Sequence, residues 1–130
     1  MECLEAGTSQ IVYLASPYTS GTASQRKRRF EMCNTAAAKL IEAGYIVFSP
    51  ITMTHPIDLL LAKKEQTLGS DYWVKFDEAF MKMCSAIVIL CIDGWRESKG
   101  VKREIEYFRK NGKKVEYLEP ESVGIFSQQE

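Results

Sequence analysis

Short β-rich runs alternate along the chain with longer stretches whose hydrophobic positions recur at helical spacing. The runs typical of strands occupy residues 10–16, 45–49, 86–92 and 114–118. The stretches whose apolar residues return every three or four positions, and which predict helices, are residues 25–43, 70–84 and 100–110. Strands that alternate with helices favour a parallel sheet with right-handed crossovers.

The predicted fold class is α/β. We expect a doubly wound, Rossmann- or flavodoxin-like parallel sheet of four to five strands with helices on both faces. Residues 86–92, AIVILCI, are continuously apolar, so this strand should lie in the centre of the sheet. After the second strand, Pro56 is expected to begin a short helix. One domain spans residues 1–130, with a core at about 10–118 and loose ends, because the chain is too short for two cores.

Charge and composition narrow the classes of partner. Seventeen basic residues balance seventeen acidic ones, so no net field draws the protein to a nucleic-acid polymer. The apolar runs are far shorter than the roughly 20 residues that cross a bilayer, and no membrane partner is expected. Residues 1–7 lack the features of a secretion signal. The four cysteines form no C-x-x-C pair and there is one histidine, which indicates a cytoplasmic protein with reduced thiols and no zinc site.

Ligands of open parallel sheets bind beyond the carboxyl ends of the strands, beside the point where the strand order reverses. Three loops of this chain should form that edge. The candidate binding residues in them are Ser16, Pro17 and Tyr18, then Ser49, Pro50 and Ile51, then Asp93, Gly94 and Trp95 followed by Ser98 and Gly100. None of these loops has a glycine-rich dinucleotide or triphosphate motif, so a smaller ligand is expected.

Two acidic residues interrupt the apolar stripes of predicted helices. Glu104 lies three residues after Val101 and four before Phe108 in the last helix. Asp77 lies four residues after Trp73 in the helix before it. Both carboxyls should therefore point inward and approach one another at the carboxyl end of the third strand. Buried carboxyls usually have displaced pKa values, which suit a nucleophile, base or acid; the alternative is a structural pair bonded to backbone amides or arginine.

The basic and polar residues near this edge allow more than one interpretation. Ser98 and Gly100 open the last helix, where free amides bind anions such as phosphate, but Ser98 is equally suited to be a plain N-cap. Residues 26–29, RKRR, oppose the dipole of the first helix. A phosphate ligand would explain them, although a solvated basic face is the favoured interpretation. His55 is expected to line the binding site or lie on the surface.

Several short segments occur together in a recognisable order. They are YLASPY at residues 13–18, VFSPI at 47–51, HP at 55–56, Asp77, and GWxxSxGVxxE at 94–104. Through these segments the chain resembles a small bacterial and phage family within the nucleoside 2-deoxyribosyltransferase-like superfamily, over about residues 10–118. The resemblance implies a five-stranded doubly wound fold in which a glutamate attacks the anomeric carbon of 2-deoxyribose and expels the base.

The resemblance also implies roles for individual residues. Glu104 matches the nucleophile of the superfamily. Asp77 matches the aspartate that orients the nucleophile or helps to protonate the leaving base, and Tyr13 matches the strand-one tyrosine near the sugar. The aromatic residues that can stack on the base, or belong to the core, are Tyr18, Trp73 and Trp95.

Departures from the transferase pattern favour hydrolysis. The transferases carry aspartates six and three residues before the nucleophile, where this chain has Ser98 and Val101. Ser98-x-Gly100 is instead similar to the phosphate-binding turn of the 2-deoxynucleoside 5-monophosphate N-glycosidases, although Pro17 replaces a loop serine that often helps to hold the phosphate. The predicted activity is hydrolysis of the base-sugar bond of such a monophosphate.

Two other activities remain open at this point. One is base exchange by a nucleoside 2-deoxyribosyltransferase, and the other is a non-catalytic nucleotide-binding module. The chemistry implied by the resemblance needs no metal and no cofactor. The expected partner is a small nucleoside or nucleotide, and the expected assembly is a homodimer or a higher homo-oligomer.

Overall fold

The computed structural model describes residues 6–7, 9–19, 21–63 and 69–128. Within these residues the chain forms four strands, four α-helices and a final 3-10 turn. The strands are β1 (Ile11–Ala15), β2 (Ile46–Phe48), β3 (Ala86–Leu90) and β4 (Lys114–Leu118). The helices are α1 (Ala23–Glu42), α2 (Pro50–Lys63), α3 (Ser70–Met81) and α4 (Lys99–Lys110), and the 3-10 turn is Pro120–Val123.

The sheet confirms the predicted α/β class. All neighbouring strands pair in parallel, in the order β2-β1-β3-β4. The chain therefore winds outward from β1 in one direction and from β3 in the other, and the order reverses between these two strands. All five residues of β3 are buried, which confirms its predicted place inside the sheet, between β1 and β4.

Helices cover both faces of the sheet, because alternate residues of a strand face opposite sides. On one side, Val12 and Leu14 of β1 pack with α1 and with the segment after β4. On the other side, Tyr13 and Ala15 pack with α4 and the end of α3. This is the arrangement predicted for a doubly wound sheet.

The bounds of two helices differ from those predicted. α2 starts at Pro50, so Pro50 and Ile51 lie in its first turn instead of a loop. Proline suits a first helical turn because its missing N–H would have no intrahelical acceptor there. Pro56, predicted to begin a short helix, lies inside α2. α3 begins at Ser70, the first residue of the predicted stretch, with Gly69 at the N-cap position, and it ends at Met81, before the predicted end at residue 84.

The segment that follows β4 belongs to the core, so the core extends past its predicted end at about residue 118, as far as Ile125. The 3-10 turn places Val123 and Ile125 against α1, where both side chains are buried. Gly124 closes the turn with φ 83°, a conformation that glycine adopts without strain. Each buried side chain stabilises this end by roughly 1.5–3 kcal/mol.

The described residues also bear on the membrane and cysteine predictions. No helix in this part of the chain combines the length and the apolar character that crossing a bilayer requires. Cys33, Cys84 and Cys91 are free thiols, as expected, while Cys3 lies outside the described residues.

Candidate active site

A cleft of about 930 Å³ opens beyond the carboxyl ends of β1 and β3, where the strand order reverses. Its walls are the loop after β1, the first turns of α1 and α2, the middle of α3, and the loop after β3 with the start of α4. The predicted site residues that line it are Ser16, Pro17, Tyr18, Pro50, Ile51, Asp77, Gly94, Ser98, Gly100 and Glu104. A cleft of this volume suits a small organic ligand.

The remaining predicted site residues lie outside the lining. Tyr13 is fully buried beneath the cleft. Ser49 is hydrogen-bonded to a threonine hydroxyl of α2 at 2.7 Å. Asp93 is exposed and its backbone N–H bonds to the side chain of Gln128. Trp95 packs on Tyr117, with ring centroids 5.4 Å apart, so its ring serves packing under α4 and not the cleft wall.

Glu104 lies at the floor of the cleft, with 6% of its surface exposed. Its apolar neighbours Val101 and Phe108 pack on the sheet, which carries the carboxyl inward as the stripe predicts. The hydroxyl of Tyr13 donates a hydrogen bond to Glu104 Oε2 at 2.5 Å. The rings of Phe48 and Phe108 flank Tyr13, at centroid distances of 6.0 and 5.8 Å. The carboxyl is therefore held through one oxygen, which leaves Oε1 for a ligand.

The environment of Glu104 moves its titration towards neutral pH. Burial raises the pKa of Glu104 to about 7, and the hydrogen bond from Tyr13 partly opposes this rise. The charge of Asp77 raises the same pKa, and the charge of Arg103 lowers it. Burial and the facing Glu104 carboxylate hold the pKa of Tyr13 far above its ordinary value. Tyr13 therefore stays a donor while Glu104 changes charge.

Asp77 is the second carboxyl of the cleft. α3 carries it into the lining together with Trp73, one turn earlier. Burial raises the pKa of Asp77 to about 6, against the opposing charge of Arg103. Asp77 and Glu104 line one cleft and interact electrostatically, as the sequence pattern predicts. Two coupled carboxyls that titrate near neutrality can divide the roles of acid and base between them.

Tyr13→Phe is expected to raise the pKa of Glu104 by roughly one to two units, because it removes a hydrogen bond that favours the carboxylate. Carbon NMR of the glutamate side-chain carboxyls against pH measures this value. Tyr107→Phe is the matched control. It removes a tyrosine hydroxyl from α4, the helix that carries Glu104, and Tyr107 is not part of the cleft lining. An unchanged or lowered Glu104 pKa in Tyr13→Phe would contradict the role assigned to this bond.

Arg29 joins the loops that follow β1 and β3. Its guanidinium donates to the carbonyl of Thr19 at 3.0 Å and to that of Asp93 at 3.3 Å. Gly94 has φ 94°, a backbone conformation that favours glycine, and a Cβ there would lie 2.8 Å from Arg29 Nη2, so a larger residue would also displace the end of the Arg29 side chain. Arg26 and Arg29 line the cleft. Both side chains are half-buried, so these two members of the basic group face the cleft, while Lys27 is exposed.

Ser98 is the N-cap of α4. Its hydroxyl accepts a hydrogen bond from the Val101 N–H at 3.2 Å, which confirms the plain capping interpretation as one role of this residue. The cap uses only one of the amides that a first helical turn leaves without intrahelical acceptors. Lys99 and Gly100 line the cleft beside it. An anionic ligand can therefore still approach the positive end of the helix dipole.

His55 is buried behind the cleft, with 4% of its surface exposed. Its ring stacks on Phe30 at a centroid distance of 4.4 Å, and its Nδ1 lies 2.6 Å from the hydroxyl of Tyr18. Burial lowers the pKa of His55, which favours the neutral ring. The expectation of a wall or surface residue is therefore corrected: Tyr18 lines the cleft, and His55 fixes Tyr18 from behind.

Arg103 is the main cleft residue that sequence analysis missed. It lies off the apolar stripe of α4, so periodicity offered no reason to place it near Glu104. Its charge acts on both Asp77 and Glu104. Two buried acids need a nearby cation to offset their charge. This requirement was the feature of the sequence from which a cation near Asp77 and Glu104 could have been predicted. Across the described residues, no three His, Cys, Asp or Glu side chains are grouped so as to hold a metal ion.

The fold and cleft define an α/β protein with two carboxyls at the switch point of a parallel sheet. The family model described as "Domain of unknown function (DUF1937)" matches residues 10–119. The chain belongs to this family, and the matched region contains all four strands and α1 to α4. The search of curated proteins finds no match.

Proposed function

We propose that the protein is an N-glycosidase that hydrolyses the base-sugar bond of a (2-deoxy)nucleoside 5-monophosphate through a glutamyl-glycosyl intermediate on Glu104. The observation that carries the proposal is the buried Glu104 carboxyl at the floor of the cleft, held by the Tyr13 hydroxyl. A carboxylate fixed and partly desolvated in this way suits attack on a sugar carbon.

The reaction divides into two steps. First, a carboxylate oxygen of Glu104 forms a bond to the anomeric carbon while the bond from that carbon to the base breaks. The electron pair leaves with the base, and the protonated carboxyl of Asp77 supplies a proton to a ring nitrogen. Second, a water molecule attacks the same carbon, gives its proton to the Asp77 carboxylate and releases Glu104. This covalent route replaces one difficult step with two easier ones.

The two pKa values set the pH range in which this division of roles operates. With Glu104 titrating at about 7 and Asp77 at about 6, the singly protonated pair carries its proton mainly on Glu104, so the required form with ionised Glu104 and protonated Asp77 is the minor one and is most populated between these two values. Because the two groups interact, the measured pKa values belong to the pair. The rate should therefore pass through a maximum between about pH 6 and 7.

The cationic side of the cleft supports a monophosphate substrate. Arg26 and Arg29 line it together with the start of α4 at Lys99 and Gly100. Guanidinium groups and first-turn amides both favour a phosphate dianion. Pro17 contributes no hydroxyl to this side, and the proposed phosphate contacts come from α4 and the two arginines.

The resemblance to the nucleoside 2-deoxyribosyltransferase-like superfamily adds support to the proposal. Among the residues that match the superfamily motifs, Asp77 and Glu104 line one cleft, and Tyr13, buried beneath it, is hydrogen-bonded to Glu104. Assembly as a homo-oligomer and a cytoplasmic location stay predictions.

We expect free base to appear when the protein is incubated with 2-deoxynucleoside 5-monophosphates without any acceptor base. Chromatography over hours, across purine and pyrimidine monophosphates and their parent nucleosides, measures this release. The monophosphates should exceed the nucleosides in kcat/KM by at least about tenfold, because charge-assisted hydrogen bonds hold the phosphate.

Each other result of this assay names a different function. Release that depends on an added acceptor base would replace hydrolysis with base transfer. Equal rates for nucleosides and monophosphates would contradict the proposed phosphate contacts. Tight binding of a nucleotide, without release of base from any substrate, would show that the protein is a nucleotide-binding module and not an enzyme.

A further inference from the structure

Arg103 has an unsatisfied donor in the wall of the cleft. Its Nε is buried and has no hydrogen-bond partner, the single such side-chain atom found among the described residues. The side chain lines the cleft. A buried N–H without an acceptor is costly and uncommon in folded proteins. Because the Nε has no exposed surface, it reaches a ligand acceptor only when the Arg103 side chain rotates towards the cleft that it lines.

The surroundings of Arg103 identify the part of the ligand it faces. Its charge acts on Asp77 of α3 and on Glu104, the two carboxyls at the reacting centre. Trp73 lies one turn before Asp77 and lines the same cleft. An aromatic ring and a planar, donor-only guanidinium in the walls of one cleft suit a flat heterocycle, which stacks on the ring and accepts hydrogen bonds at its edge.

On the basis of the proposed function, we infer that Arg103 selects nucleobases that carry an exocyclic oxo group over those with an amino group at the same position. A guanidinium only donates, so it binds an oxo oxygen and leaves an amino group, itself a donor, without a partner. Its planar fork also matches an oxo oxygen and the adjacent ring nitrogen of a 6-oxopurine.

The same contact assists the bond cleavage. As the carbon-nitrogen bond breaks, its electron pair stays on the base, and part of the negative charge moves to the oxo oxygen. Arg103 stabilises this charge while Asp77 supplies the proton to a ring nitrogen. Because the charge is larger in the transition state than in the bound substrate, the contact should raise kcat as well as affinity.

The test compares nucleotides that differ at one exocyclic position. The pairs are 2-deoxyinosine with 2-deoxyadenosine 5-monophosphate, and 2-deoxyuridine with 2-deoxycytidine 5-monophosphate. In at least one pair, the wild type should favour the oxo member by at least about tenfold in kcat/KM, the contribution of one hydrogen bond from a charged donor. Binding of the free bases hypoxanthine, adenine, uracil and cytosine, measured by calorimetry, gives the same comparison without turnover.

Variants of Arg103 assign the preference to this side chain. Arg103→Met removes the donors and keeps most of the volume, and it should reduce the oxo preference to within about threefold. Arg103→Lys keeps the charge without the fork and should retain an intermediate preference. Lys102→Met is the matched control, because Lys102 is an exposed cation next to Arg103 that is absent from the cleft lining.

The outcomes separate this inference from the proposed function. A preference for amino bases, or an oxo preference that survives in Arg103→Met, overturns the inference even if hydrolysis is observed. If no nucleotide is hydrolysed, an oxo preference in base binding that is lost in Arg103→Met still supports it, while the proposed hydrolysis fails. Equal binding of oxo and amino bases to the wild type overturns it in either case.

Discussion

Glu104→Gln is expected to slow base release by at least about 10³-fold while changing nucleotide affinity by no more than about tenfold. The amide keeps the shape of the side chain, and its oxygen can still accept the hydrogen bond from Tyr13. It cannot form the glycosyl ester on which the two-step route depends. Chromatography of released base, together with calorimetry of nucleotide binding, measures both quantities.

The control for this variant is Glu106→Gln. Glu106 lies on the same helix, is exposed and is absent from the cleft lining, so its neutralisation should leave release unchanged. Asp77→Asn should be slower than the wild type yet retain activity, because water can protonate the leaving base less effectively. Turnover of Glu104→Gln at the wild-type rate would show that Glu104 is structural and that the mechanism is wrong.

The fold was predictable where local pattern and tertiary packing agree. Residues 114–118 form β4 with the predicted bounds, and the apolar run from residue 86 forms the buried strand β3. Continuous hydrophobicity accounts for the complete burial of β3, whereas the burial along β4 does not alternate and only its bounds follow from the β-rich run.

Prediction failed where contacts distant in sequence decide the structure. Val123 and Ile125 are isolated apolar residues in a polar tail, and only the presence of α1 above the sheet makes their burial favourable. Pro50 and Pro56 both signal a helix start. The chain begins α2 at the first of them, and a local pattern has no means of choosing between the two.

The candidate site also contains both residues whose placement the sequence predicts and residues whose placement it does not. The inward direction of Glu104 follows from periodicity alone, because its apolar neighbours fix the face of α4. For long side chains, helical periodicity does not predict where the charged end lies. Arg29 spans from α1 to carbonyls of two loops, and Arg103 reaches the cleft from off the stripe. Their placement depends on rotamers and on the neighbouring elements.

Replacing Glu104 with glutamine is also expected to stabilise the protein at neutral and alkaline pH by up to roughly 3 kcal/mol. The folded pKa of Glu104 is about 7 and its ordinary value is 4.5, and each pKa unit corresponds to 1.36 kcal/mol. Between these values the folded protein binds a proton that the unfolded chain releases. The wild type therefore loses stability as the pH rises from 4.5 to about 7, and the loss is complete above that range.

The variant lacks this titration, so the difference in the free energy of unfolding between Glu104→Gln and the wild type should grow from about pH 5 and level off above about pH 7. Urea denaturation at a series of pH values measures it, and Glu106→Gln again serves as the exposed control. Other titrating groups largely cancel in the comparison because both proteins contain them. A difference that is constant with pH would mean that Glu104 titrates alike in the folded and unfolded chains, and its desolvated carboxylate could then not be the reason for its reactivity. A gain in stability combined with the loss of base release would instead show that the folded chain tolerates a costly buried charge because the reaction requires it.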